Sequence, residues 1–286
     1  MVTTTPRREF LGLLAGTVAA SAIPAAARPA AATAPRGLAP VPGGPVMKGR
    51  DRGVYVVHDA RSLEPLYAET LGDPLPERTP AASVSKTFCA YAALREGLLA
   101  ETEKILCDGD GWRPEGHGAI AVVEALAVSC NAFFEKLGAR LTWDSYREAC
   151  DRLGGLSDRL GGKPANLLDR LAAYAHGDLL ATGCEELARL GRAVALADPS
   201  DRALAVVRRG WREAVLRGTA VAANVPGLEV SGKTGTLPGA AAETKFAAFA
   251  PLSEPRWVIA ARTAGLGSAS AAAIAGRALT RLAGTA

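Results

Sequence analysis

The order of strand-like and helix-like segments constrains the fold of this chain more than any other feature. Two segments rich in β-branched and aromatic residues, 52–60 and 63–69, come first, and three more follow at 228–236, 245–252 and 256–265. The long stretch between them spaces apolar residues as helices do, and a further helical segment, 269–284, closes the chain. This order predicts one mixed α+β domain in which the early and late strands share a sheet.

The N-terminus has the layout of an export signal. The pair Arg7-Arg8 precedes an apolar run from Phe10 to about Ile23, which ends on small residues at 25–27. The run is short for a membrane span, and the twin arginines indicate a twin-arginine-type signal. We predict a signal peptide at 1–27, a Pro/Ala/Gly-rich linker at 28–50 and a folded domain at 51–286. The domain is expected to be periplasmic or extracellular, and membrane-anchored if the signal is not cleaved.

Composition and charge exclude several classes of function. A net charge of +4 over 286 residues is small, and no basic cluster is interleaved with aromatic residues as in a nucleic-acid groove. The five cysteines form no C-x-x-C pair, and the three histidines are scattered along the chain. The sequence therefore predicts neither a metal site nor a cofactor, and it leaves any disulfide pairing open.

Three short motifs carry the chemistry. In "SVSK", Ser83 and Lys86 lie three residues apart at the start of a predicted helix, hence on one face. A serine hydroxyl becomes a good nucleophile when a base removes its proton, and a neutral lysine can do this. The positive end of a helix also favours negative charge on the serine and disfavours a protonated lysine.

The second motif is "SCN", between two apolar helical stretches. A break in the helix there lets Ser129 and Asn131 project from a loop while Cys130 packs inward. The third is "KTGT" on a predicted strand. It supplies a cation, two hydroxyl donors and a glycine that lets a substrate backbone approach closely; its residues are Lys233, Thr234, Gly235 and Thr236. Each motif alone is also compatible with an ordinary cap, turn or strand.

The three motifs together, in this order, resemble those of the penicillin-binding transpeptidases and serine β-lactamases. The stretches "HGAIAVVEALAVSCNAFFEKLG", "REAVLRGTA" and "KFAAFAPLSEPRWVIAAR" are similar to those around the motifs of transpeptidase domains. The resemblance covers about residues 52–284. It implies a β-lactamase/transpeptidase-like fold, with a central antiparallel five-stranded sheet from the N- and C-terminal segments and a helical subdomain between them.

The resemblance also implies roles for the motif residues. Ser83 would be acylated, Lys86 would take its proton, and Ser129 would relay protons between Lys86 and Lys233. Asn131 would hold the substrate amide and orient Lys86. The substrate's carboxylate would be bound by Lys233, Thr234 and Thr236, with Gly235 beside them. The implied function is a serine D,D-transpeptidase or D,D-carboxypeptidase that acts on D-Ala-D-Ala stem peptides of peptidoglycan and is inhibited by β-lactams, without a cofactor.

Two alternatives stay open. A class D-like serine β-lactamase forms the same acyl-serine and hydrolyses it faster; Asn131 and Thr236 favour the D,D-peptidase. The loop "GGKPANLLDRL" also lacks the E-x-x-x-N pattern with which class A β-lactamases deacylate. The second alternative is an idle relative that acts as a β-lactam sensor or a wall-binding scaffold. A cell-wall synthesis partner protein is a further expectation, and the oligomeric state is left undetermined.

Overall fold

The structure, a computed structural model, describes residues 31–32, 34–49, 51–72, 75–109, 113–240, 242–265 and 270–285. The predicted signal peptide, residues 1–27, lies outside the described residues. Among the residues that are described, no helix is both long enough and apolar enough to cross a membrane.

A five-stranded antiparallel sheet forms the centre of the fold, as predicted. Its strands, numbered along the chain, are β1 (Gly53–Asp59), β2 (Pro65–Leu71), β3 (Ser231–Leu237), β4 (Glu243–Ala250) and β5 (Trp257–Ala264). They lie side by side in the order β2-β1-β5-β4-β3. The first and last parts of the chain therefore meet where β1 pairs with β5, and the predicted fold class is confirmed.

Eight α-helices are described. They are α1 (Lys86–Arg95), α2 (Val122–Val128), α3 (Asn131–Gly138), α4 (Trp143–Arg152), α5 (Leu167–Leu171), α6 (Cys184–Ala195), α7 (Arg202–Arg217) and α8 (Ala271–Ala283). Short 3₁₀ turns lie at Ala82–Ser85, Ser157–Arg159 and Val221–Ala223, and a π-helical turn at Ala172–His176. Three small antiparallel pairs join Ala31–Ala32 to Leu75–Pro76, Thr79–Pro80 to Ala181–Thr182, and Ile105–Cys107 to Gly118–Ile120.

The sheet is covered on both faces. All eight residues of β4 are buried, because successive side chains enter different cores. Phe249 packs with the helices of the middle region, whereas Phe246 packs with α8 and the segment before β1. A strand buried on both faces is a nearly continuous apolar run rather than an alternating one, as "KFAAFA" is.

The described part of the predicted linker, from residue 31 onward, lies against the sheet. It has no helix and only the two-residue strand Ala31–Ala32, in keeping with its Pro/Ala/Gly-rich composition. Val41, Val46 and Met47 are nonetheless buried in the core under α8. Backbone N–H groups of Val46 and Met47 also donate to the carboxylate of Glu69 on β2.

Candidate active site

The first motif forms a tight turn that leads into α1. Ser83 is the second residue of the 3₁₀ turn Ala82–Ser85, and Lys86 is the first residue of α1. Ser83 is half-buried, while the side chains around it are fully buried. Ser85, which also precedes Lys86, is completely enclosed. Of the two serines in "SVSK", only Ser83 is accessible to a substrate.

The second motif lies at the predicted break between two helices. α2 ends at Val128, and Ser129 adopts a left-handed conformation with φ of 55°. Cys130 is extended and α3 starts at Asn131. This sharp change of direction turns Ser129 and Asn131 outward, both half-buried, and buries Cys130. The structure therefore arranges the three residues as the sequence predicted.

Two buried lysines converge on Ser129. The Lys233 ammonium group donates to Ser129 Oγ at 2.9 Å and to the carbonyl of Thr234 at 2.9 Å. The Lys86 ammonium group donates to Ser129 O at 2.7 Å, lies 3.4 Å from Ser129 Oγ, and donates to Asn131 Oδ1. The three motifs, far apart in the sequence, thus meet in one polar cluster around a single hydroxyl.

This cluster changes the acidity of Lys233. Burial, reinforced by the positive charge of Lys86, holds the pKa of Lys233 well below its ordinary value. Burial penalises a charged amine, and a second cation nearby does the same. The pair therefore favours a state in which one of the two amines is neutral.

Gly235 lets β3 approach the Ser83 turn. A Cβ added at Gly235 would lie 2.9 Å from Ala81 O and 3.0 Å from Val84 Cγ2. The sequence predicted a glycine here for the approach of a substrate backbone. The contacts show that this position is occupied by the turn that carries Ser83, so the glycine brings the first and third motifs together.

Thr234 and Thr236 follow on the same strand. Thr236 is exposed and Thr234 half-buried. The hydroxyl of Thr234 lies 2.6 Å from the hydroxyl of Thr219, a residue that was not predicted as part of the site. Thr219 follows Gly218, the residue that caps the end of α7, and its N–H donates to Ala127 O near the end of α2. Its only signal in the sequence was its place in "REAVLRGTA".

A buried ionic cluster, which the sequence analysis did not predict, supports the strand that leads into the Ser83 turn. Lys245 on β4 donates to Thr79 O at 3.0 Å and to Thr182 O and Oγ1 at 2.9 Å each. Arg262 on β5 donates to Glu243 and to Glu77 O. All three charged side chains are at most 2% exposed.

The remaining candidate residues have structural contacts. Asn166 caps α5 by accepting from the N–H of Asp169, so the "GGKPANLLDRL" loop uses both residues for its own turn.

The five cysteines are all free. Cys107, His117 and Cys130 bring their ligand atoms together within 4.8 Å, although the scattered cysteines and histidines of the sequence predicted no metal site.

The sheet and the order of its strands are those of the β-lactamase/transpeptidase-like fold. Residues 65–196 match the family model described as "Penicillin binding protein transpeptidase domain". The predicted resemblance to penicillin-binding transpeptidase domains is therefore confirmed. No curated protein matches the sequence.

Solved structures of transpeptidase domains share the fold. The D,D-transpeptidase domain of a peptidoglycan glycosyltransferase from Eggerthella lenta superposes with a TM-score of 0.69 at 18% identity, covering 83% of this chain and 79% of that one. PBP2 of Pseudomonas aeruginosa gives 0.69 at 17% identity, with 82% and 74% covered. PBP2 of Helicobacter pylori, in complex with MreC, gives 0.69 at 18%, with 82% and 60% covered. At these identities the similarity concerns the fold.

Proposed function

We propose that this protein is a serine D,D-peptidase that acts on D-Ala-D-Ala stem peptides of peptidoglycan through an acyl-serine and that penicillins acylate it. The observation that carries the proposal is the convergence of Lys86 and Lys233 on Ser129 Oγ, next to the half-buried Ser83 turn. This arrangement provides a nucleophile, a base and a proton relay without a metal or cofactor.

Acylation would proceed in two steps. When the substrate carboxylate binds beside Lys233, the proton of Lys86 passes through Ser129 to Lys233 and leaves Lys86 as the neutral amine. Ser83 Oγ then attacks the carbonyl carbon of the penultimate D-Ala while Lys86 takes the serine proton. The negative oxygen of the tetrahedral intermediate is held by the backbone N–H groups of Ser83 and Thr236, where each donor is typically worth about 3–4 kcal/mol. The C–N bond then breaks, Ser129 passes a proton to the leaving nitrogen, and D-Ala departs.

The acceptor decides which reaction follows. Water attacking the acyl-serine gives a carboxypeptidase, whereas an amine of a second stem peptide gives a transpeptidase. In both, the substrate's terminal carboxylate is bound by Lys233 together with the hydroxyls of Thr234 and Thr236. Thr219 orients the Thr234 hydroxyl for this contact. A penicillin presents the same carboxylate beside its reactive amide, so it would acylate Ser83 in the same way.

Two further parts of the proposal concern the setting. We propose that the chain is exported by its twin-arginine-type segment and acts on the cell wall. The structure of Helicobacter pylori PBP2 was solved with MreC, and we propose a comparable cell-wall synthesis partner for this chain. Both are tested by fractionating cells that express the full chain and by cross-linking it at the cell surface.

The test of the reaction is intact-mass spectrometry of the full chain incubated with benzylpenicillin. We expect the mass to rise by one penicillin and the adduct to persist. The Ser83→Ala variant should form no adduct, and Ser85→Ala, which alters the enclosed serine nearby, should still form one.

Two other outcomes would change the assignment. If the adduct is lost quickly and penicillin is consumed over many turnovers, the protein is a serine β-lactamase. If the folded protein forms no adduct, Ser83 is not a nucleophile and a wall-binding scaffold is the better assignment. The two acyl acceptors are separated by supplying a D-Ala-D-Ala peptide with and without a second amine and identifying the products.

A further inference from the structure

Outside the proposed catalytic cluster, one group of side chains has the composition and spacing of a metal site. The ligand atoms of Cys107, His117 and Cys130 all lie within 4.8 Å of one another. His117 Nδ1 lies 3.4 Å from Cys107 Sγ. In a tetrahedral zinc site, bond lengths of about 2.3 Å to sulfur and 2.0–2.1 Å to nitrogen separate the sulfur and nitrogen ligands by about 3.5 Å. The measured S–N distance fits this value.

The local fold brings these residues together, although their spacing in the sequence does not match a common metal-binding motif. The strands Ile105–Cys107 and Gly118–Ile120 form a small hairpin in which Cys107 pairs with Gly118. His117, the residue before Gly118, therefore lies beside Cys107. Gly116 has φ of +72°, and a Cβ there would lie 2.4 Å from Cys107 O. The tight turn is therefore open only to glycine, and it fixes the position of His117 relative to the cysteine.

The third residue comes from the catalytic motif. Cys130 is 1% exposed and Cys107 is 2% exposed. Cys130 Sγ accepts a hydrogen bond from Phe133 N–H at the start of α3, at 3.4 Å. Burial nevertheless raises the pKa of this thiol above its ordinary value, so the thiol gives up its proton only as a metal binds. The hairpin is also held to α3, because Lys136 donates to Leu106 O and to Asp108 Oδ1. The three ligands therefore belong to the hairpin and to the start of α3, two elements that hydrogen bonds already join.

We propose that this protein binds one zinc ion through Cys107 Sγ, His117 Nδ1 and Cys130 Sγ. Two thiolates and one imidazole are the ligand types that favour zinc over magnesium or calcium. Three protein ligands leave a fourth tetrahedral position for water. Each thiol loses its proton as the metal binds, so binding releases protons to the solvent.

The zinc ion would connect the hairpin to the segment between Ser129 and Asn131. Cys130 stands between these two residues, which receive the hydrogen bonds of Lys233 and Lys86. A metal bond to Cys130 would restrict the motion of the backbone that carries Ser129 and Asn131. Cys107, His117 and Cys130 are thus positioning residues, and only this last consequence rests on the proposed function.

The test is metal analysis of the purified full chain. We expect about one zinc per chain, and a fall of tenfold or more in Cys107→Ala and His117→Ala. Cys184→Ala, which removes a cysteine outside the cluster, is the matched control and should keep its zinc. Replacing zinc by Co²⁺ should give a thiolate-to-metal charge-transfer band in the wild type and lose it in Cys107→Ala. Removing zinc with a chelator should lower the Tm of the wild type and leave that of Cys107→Ala unchanged.

Three results would overturn the proposal. The first is a folded wild type that holds no zinc and shows no cobalt band. The second is an equal zinc content in the wild type and the Cys107→Ala variant. The third is a non-reducing peptide map in which Cys107 and Cys130 are joined in a disulfide, because their thiolates would then not be free to bind a metal. None of these measurements depends on penicillin, so a failure here is distinct from a failure of the proposed D,D-peptidase reaction.

Discussion

At the scale of single residues, the most informative feature is the burial of two lysines beside one serine. Lys86 and Lys233 are both 0% exposed, and two ammonium groups so close together cannot both be retained at low cost in a buried site. The arrangement is destabilising for folding, and it suits the proton transfer proposed above. Strongly perturbed ionisable groups of this kind are characteristic of active sites.

The Lys233→Met variant tests this role. We expect acylation by benzylpenicillin to slow by about 10²–10⁴-fold, the usual contribution of a positioned acid or base. Because the pKa of Lys233 is lowered, the wild-type rate should fall as the pH drops through that pKa and protonates the amine pair. The rate is measured by stopped-flow over a pH series. Lys163→Met, at an exposed lysine, is the control, and an unchanged rate in Lys233→Met would contradict the relay.

At the scale of elements, the small strand Thr79–Pro80 connects the sheet to the Ser83 turn. The Lys245 ammonium group binds two carbonyls and one hydroxyl there, and Arg262 binds Glu77 O just before it. Thr182 lies in the strand paired with Thr79–Pro80. The cap of α6 is formed one residue later, where Gly183 N–H donates to Glu186.

Lys245→Met should destabilise the fold and do so more at higher pH. The lost hydrogen bonds leave buried oxygens unsatisfied, at a cost of about 1–3 kcal/mol. Burial lowers the pKa of Lys245 from 10.5 to about 7, against the attraction of Glu243, so the unfolded chain binds this proton more tightly. Its contribution to stability is complete above pH 10.5 and is lost as the pH falls toward 7.

The measurement is urea unfolding of the wild type and Lys245→Met at several pH values. The difference in free energy of unfolding should grow between pH about 7 and about 10. Lys163→Met should show no such growth. If the difference in free energy of unfolding does not change with pH, the pKa of Lys245 is not lowered in the folded protein.

At the scale of the whole molecule, the segment before β1 completes the second core. Val46 is 1% exposed and packs under α8 with residues of the sheet. Arg277 of α8 donates to Val46 O. This contact helps to hold α8 and the segment together on the face of the sheet opposite the helices of the middle region. The composition of the segment indicated a linker; its few large apolar residues are the ones that are buried.

The Val46→Ser variant tests this contribution. Replacing a buried apolar side chain with a smaller polar one should lower the free energy of unfolding by about 1–3 kcal/mol. Thermal and urea unfolding measure it. Lys48→Ser, two residues further at an exposed position, should leave stability within about 0.5 kcal/mol. Equal stability of the two variants would show that the segment does not contribute to the core.

Sequence patterns alone were enough to predict the sheet and to single out the motif residues. Strand and helix periodicity record which faces are buried, so the five strands and the closing helix α8 were located to within a few residues. The motifs were readable because each is local: serine and lysine one turn apart, serine and asparagine across one break, and four residues on one strand.

Which distant residues meet depends on how the elements pack in three dimensions. The pairing of Thr219 with Thr234, the approach of Gly235 to Ala81 and the buried contacts of Lys245 all join segments far apart in the sequence. The cluster of Cys107, His117 and Cys130 likewise depends on a hairpin packing against a helix start. A single sequence carries no pairwise distance, and such contacts arise only when apolar burial and hydrogen bonding fix the packing of whole elements.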